Sequence, residues 1–143
     1  MLDPGYSSAH LLVEHQGWGV NRLDKTAIVA DWAPGLHRLR VCQKDRTGAA
    51  NCGTCEKCIR TMTALVALRK LSGCRAFPRD DVTPALIATL GRYRMLKTVY
   101  DASWYRQMMP ALEAAGRTDL ARAIEQALES AALDQLGTTG AHS

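Results

Sequence analysis

Aromatic side chains are scarce in this chain: there is a single phenylalanine, Phe77, and Phe, Trp and Tyr together make up only 6%. A core built on stacked rings is therefore excluded, and the interior must rest on Leu, Ala, Val and Met. Long apolar runs are missing as well. No stretch approaches the ~20 residues needed to span a bilayer, so a soluble protein with no membrane partner is expected. The opening MLDPGYSSAH has neither a basic start nor an apolar segment of the export-leader kind, which predicts a cytoplasmic setting with reduced thiols. No glycine-rich phosphate loop occurs. Charge bias is weak: 18 Lys and Arg against 14 Asp and Glu leave a net charge of +4. That is compatible with a phosphate-bearing partner but too small to argue nucleic-acid binding by itself. At 143 residues with 47% apolar content, the chain has the length of one globular domain, with room for an appended subdomain.

What the chain does have is a cluster of cysteines. Cys42, Cys52, Cys55 and Cys58 fall in the run VCQKDRTGAANCGTCEKCIRTM. A lone thiol is followed by a loop, then by a CGTC knuckle that leads into a fourth thiol on an expected helix. Four thiolates converge well on one tetrahedral Zn²⁺, which takes sulfur ligands at ~2.3 Å. Gly53 suits the tight turn of the knuckle because it tolerates positive φ. The reading is a closed, structural zinc site. An iron–sulfur cluster also takes four cysteines, so ligand type leaves the metal open. Redox chemistry of a CxxC pair would leave Cys42 and Cys58 without a role. Disulfides would need an oxidising compartment, and inert buried thiols are the remaining alternative. Cys74, beside Gly73, stands apart and reads as a small buried hydrophobe.

The fold class expected is mainly α with a short β element. A zinc-knuckle lobe over residues 1–77 precedes a small helical subdomain over 78–137 and a disordered tail over 138–143. Asn21 is placed to cap a helix RLDKTAIVADW, with Asp24 three residues on, and Leu23, Ala27, Ile28 and Trp32 as its buried stripe. Pro34 ends that helix. HRLRVC alternates polar and apolar residues, which predicts a short strand ending at Cys42; QKDRTGAAN follows as a loop. From Glu56 to Leu71, Met62, Leu65, Leu68 and Leu71 recur at helical spacing, with Ser72-Gly73 as the stop and Arg69 and Lys70 in the last turn. Thr83-Pro84 predicts a capped helix start. Helices are expected around 84–98, 102–115 and 119–135, separated near Asp101 and by Gly116-Arg117-Thr118, with Thr118 capping the last.

The segment LRVC…NCGTCEKCIRTM resembles the C-terminal part of the 7-cyano-7-deazaguanine synthase family, within the PP-loop ATP pyrophosphatase superfamily, and above all its uncharacterised relatives. There a lone Cys, a loop, CGxCxxC and a following Arg recur, and the four thiols hold zinc. Here these are Cys42, Cys52-Gly53-Thr54-Cys55, Cys58 and Arg60. NRLDKTAIVADW is similar to the segment preceding the first ligand, so the resemblance runs from about Asn21 to Leu71. It implies a parent enzyme that activates its substrate with ATP and releases AMP and pyrophosphate. The SGGxDS phosphate loop of that family is not in this sequence. The expectation is therefore a zinc-binding C-terminal portion, not active alone, with ATP entering only through a nucleotide domain absent from this chain. The expected partner is an N-terminal nucleotide-binding domain or subunit, with a homodimer also compatible. A stand-alone zinc module that docks protein or RNA through its helical half is the competing reading.

Arg22, Lys25, Lys57 and Arg60 are the candidates for contacting phosphate or a carboxylate substrate, since Arg forks match such anions and Lys adds a point charge. For each, a solvated helix face is the blander alternative. His10, His15 and His37 have no metal-site spacing and read as ordinary histidines. Asp80-Asp81 precedes a helix start, where negative charge is favourable. Arg92, Arg94 and Lys97 beside Tyr93 and Tyr100 read as a solvated face in preference to a nucleic-acid surface. A zinc with four thiolates has no open position for water and is not expected to be the catalyst.

Overall fold

The computed structural model describes residues 8–11, 19–42, 44, 50–92 and 99–138. It is mainly helical. Helix α1 spans Arg22–Ala30, and the Asn21 side chain caps it by accepting the Asp24 N–H at 2.9 Å. Helix α2, Ala33–His37, follows at once with proline in its first turn. The buried face of α1 runs Leu23, Thr26, Ala27, Ala30, spaced i, i+3, i+4, i+7. Ile28 lies off that face and is 68% exposed, and Trp32 is 64% exposed, which corrects the expected stripe. The Trp32 ring lies against Gly35, where a Cβ would come 2.5 Å from Cε3.

Helix α3, Glu56–Ala67, carries the centre of the core. Ile59, Met62 and Leu65 are fully buried, each contributing roughly 1.5–3 kcal/mol of transfer free energy. It ends earlier than Ser72-Gly73. Arg69 takes the left-handed conformation at φ 56°, and the Lys70 and Arg69 N–H groups donate back to Leu65 and Val66 carbonyls at 2.8 and 2.9 Å. This is a Schellman stop without glycine. The Arg69 guanidinium then donates to the Ala114 carbonyl at 2.9 Å, at the negative end of a later helix.

Helix α4 covers Pro84–Ala88, with the Thr83 hydroxyl accepting the Leu86 N–H, and a 3₁₀ turn continues over Thr89–Arg92. The expected helix over 84–98 thus starts at Pro84 as expected but gives way to a 3₁₀ turn after Ala88, and 93–98 lie outside the described residues. Helix α5 covers Val99–Ala114 and α6 covers Thr118–Thr138. Gly116, at φ +81°, closes α5. Thr118 is the first helical residue of α6 and not its cap. Since α6 runs to Thr138, the start of the expected tail is helical; 139–143 lie outside the described residues. Helix α6 packs on α4 and α5, while α3 packs on α5 and α1. One contiguous core cluster extends from Ala30 to Ala131.

The short strand expected over HRLRVC is not formed, and no strand occurs among the described residues. His37 ends α2, and residues 39–42 run without regular structure. The reason is Asn51, which is buried. Its side-chain oxygen accepts the Val41 and Cys42 N–H groups, both at 3.0 Å, and its amide donates to the Leu39 carbonyl at 2.8 Å. One side chain supplies the bonds that a neighbouring strand would otherwise supply.

Candidate metal centre

Cys42, Cys52, Cys55 and Cys58 converge, with their sulfurs all within 4.8 Å of one another, and are positioned to hold a metal ion. Three separations define the cluster: Cys55 to Cys58 is 3.4 Å, and Cys52 to Cys58 and Cys55 to Cys42 are each 3.9 Å. No pair is bonded as a disulfide. A tetrahedron with ligand bonds of ~2.3 Å has edges of about 3.8 Å, so the spacing suits a single central ion.

Each ligand is placed by a separate local device. Asn51 fixes the backbone of Cys42, and through a 2.7 Å bond to the Ala76 carbonyl ties that segment to the loop after α3. Gly53 turns the knuckle at φ +70°, and a Cβ there would come 2.8 Å from Cγ of Pro78. The Cys55 N–H then points back at the Cys52 sulfur at 3.3 Å. Cys55 is the N-cap of α3 and Cys58 lies in its first turn, so the positive end of that helix faces the thiolates.

Burial acts to raise the Cys52 thiol, but hydrogen bonds from Thr54 and from the Cys55 N–H outweigh it and bring the thiol down to about 6. Burial pushes the Cys55 and Cys58 thiols up; the Cys52 sulfur adds to the rise at Cys55, and the Cys55 and Cys52 sulfurs add to it at Cys58. The raised Cys55 and Cys58 thiols do not ionise without a cation beside them. Metal uptake therefore releases protons. Cys74 is not part of the cluster: it is buried, and its thiol donates to the Leu36 carbonyl at 3.2 Å.

Three of the four candidate cations, Arg22, Lys57 and Arg60, share a concavity with Cys42, and Lys25 does not. Arg60 is buried, with a side-chain ion pair to Glu56 at 3.1 Å one turn back on α3, and its guanidinium carbon sits 4.3 Å from the centroid of the Trp104 ring. Arg22 lies 4.2 Å from the same ring. Glu56 also accepts a 3.4 Å hydrogen bond from the Tyr105 hydroxyl, so the first turn of α3 is tied to α5. Lys57 is half-buried and Lys25 exposed. Lys25 lines an adjoining concavity.

Asn51, Glu56, Arg40 and Trp104 went unnoticed in the sequence. Glu56 and Arg60 stand at i, i+4, a readable ion-pair spacing; nothing local marks Trp104. Of the remaining candidates, His10 and His37 are exposed and apart from the cluster, and His15 is outside the described residues. Asp81 pairs with Arg117, which also bonds Asp119 and the Val82 carbonyl, so it serves as a structural clamp at the start of α6. The side chains of Arg92, Arg94, Lys97, Tyr93 and Tyr100 are outside the described set. No helix of the described residues is long and apolar enough to cross a membrane. Comparison with family models, curated proteins and solved structures returns no match for this chain.

Proposed function

We infer that the chain is a structural zinc-binding domain and acts as the zinc-bearing part of an ATP-dependent enzyme similar to the 7-cyano-7-deazaguanine synthases. The observation that carries the metal reading is the convergence of four sulfurs within 4.8 Å of one another, with three of their separations at 3.4–3.9 Å. It suits one ion held directly by four thiolates, whereas a cluster of several irons and sulfides would set the cysteines wider apart. Four thiolates close the coordination sphere. Zinc then clamps the 39–42 segment, the knuckle and the start of α3, and does not activate water.

The parent reading rests on the motif Cys42, CGTC, Cys58, Arg60 and its expected place beside a substrate site. Activation with ATP, releasing AMP and pyrophosphate, belongs in this reading to a separate nucleotide-binding domain with an SGGxDS loop. The exposed Ile28 of α1 and Trp32 at the start of α2 give such a domain an apolar surface to cover.

Native mass spectrometry before and after chelation tests the metal site. One zinc per chain, lost together with the folded charge states, is expected; a folded chain with no metal overturns the site. Co-expression with an adjoining SGGxDS-bearing reading frame tests the parent: a stable complex or fused product supports it, and the lack of any such frame removes it.

A further inference from the structure

Two concavities adjoin where α1, α3 and α5 meet. One, of about 500 Å³, is lined by Arg22, Arg40, Cys42, Lys57, Arg60 and Trp104 among others. The second, of about 380 Å³, shares Arg22 and Trp104 with the first and adds Lys25. Together they form one cleft with five cationic side chains and no carboxylate of the described residues in its lining. The contrast with the groove between α5 and α6 is sharp, since three glutamates line that one.

Part of this charge has a structural partner. A divalent ion in four thiolates carries a net charge of about −2, and Cys42 reaches the cleft wall. The thiolates and Glu56, which pairs with Arg60, offset part of this charge, and Arg22, Lys25 and Lys57 keep the cleft attractive to a multiply charged anion. The two guanidiniums are also set in advance. Trp104 holds both Arg22 and Arg60 against its ring, and Glu56 anchors Arg60 from beneath. Forks already fixed lose little freedom on engaging oxyanions, and Arg geometry matches phosphate in a bidentate manner.

We propose that this cleft binds the di- or triphosphate chain of a small molecule, with Arg22 and Arg60 as forks and Lys25 and Lys57 as flanking charges. The site is built from side chains and differs in kind from a glycine-rich phosphate loop. Its volume is that of a small-molecule site. A single-stranded nucleic acid is disfavoured: the one aromatic ring in the lining already carries guanidiniums, and such strands bind by stacking bases on open rings.

The test is calorimetric titration of the metal-loaded chain with inorganic tripolyphosphate, with metal content measured in the same sample so that failure of the metal site is told apart from failure of the cleft. One site per chain is expected, weakening with added salt. Arg22→Ala and Lys57→Ala should each lower the affinity about fivefold to tenfold, the effect of removing one phosphate contact. Lys70→Ala, which removes a side chain paired with Asp31, should leave it unchanged. Both cleft positions are at least partly exposed, and thermal melts verify that the variants stay folded. No binding at millimolar tripolyphosphate overturns the proposal. So does an affinity unchanged from that of the parent chain in both cleft variants, or a single-stranded RNA that displaces tripolyphosphate at lower concentration.

Discussion

The side-chain oxygen of Asn51 accepts the backbone N–H of Cys42 at 3.0 Å, nine residues back along the chain. A metal ligand outside any helix or strand is thereby held by a single buried amide, which also bonds Val41, Leu39 and Ala76. The two halves of the cysteine motif, separated by a loop, meet through this residue.

Asn51→Ala leaves partly buried backbone groups at Leu39, Val41, Cys42 and Ala76 without the bonds that Asn51 supplies. Unfolding in denaturant should show a loss of about 2–4 kcal/mol, at ~1–3 kcal/mol for each unsatisfied group with part recovered by water. Asn51→Asp should be no milder, because it aims oxygen at two carbonyls. A variant with unchanged stability and metal affinity would show that the Cys42 segment holds itself.

Gly53→Ala tests the knuckle. The left-handed backbone costs a residue with a Cβ about 1–2 kcal/mol, and contact with Pro78 adds to it. Competition against a chromogenic chelator should show weaker metal binding, with Gly73→Ala, where nothing lies closer than 3.9 Å, as the neutral comparison.

Cys55→Ser should abolish metal binding and lower the melting temperature strongly, since its thiol is central to the sulfur cluster and its backbone caps α3. Cys74→Ser should retain the metal and melt close to the parent chain, its hydroxyl replacing the thiol as donor to Leu36. Loss of metal on the second change would mean that the ligand set includes Cys74.

Acid stability should depend on the Arg117 clamp. Hydrogen bonding from the Arg117 guanidinium holds the Asp119 carboxyl below its ordinary range. Because the folded value is the depressed one, this contribution is present above the unfolded value, near pH 4, and is lost as pH falls through the folded value. The pair is partly exposed, so the effect is small and screened by salt. In melts between pH 5 and pH 2.5, Asp119→Asn should flatten the acid limb. An identical pH profile would remove Asp119 from the acid response.

Much of the metal centre was legible in the chain itself. Cysteine spacing, the glycine of the knuckle, the Asn21 and Thr83 caps and the apolar period of α3 are local patterns, and local chemistry dictates them. Other features depend on what lies across the molecule. HRLRVC alternates as a strand does, yet with Asn51 supplying its hydrogen bonds no neighbouring strand is required. Ile28 and Trp32 are apolar like Leu23, but the packing of α1 on α2 and α3 selects the face bearing Ala27 and Ala30. Arg69 stops α3 in a conformation that its residue type disfavours, while its guanidinium bonds the end of α5. The cationic cleft belongs to the same class. Arg22, Arg40, Arg60 and Trp104 are scattered over more than eighty positions, and only the packing of α5 on α1 and α3 brings them around one cavity. Spacing along a chain determines which ligands can reach a common ion; tertiary packing decides which charges, drawn from distant elements, end up facing one another.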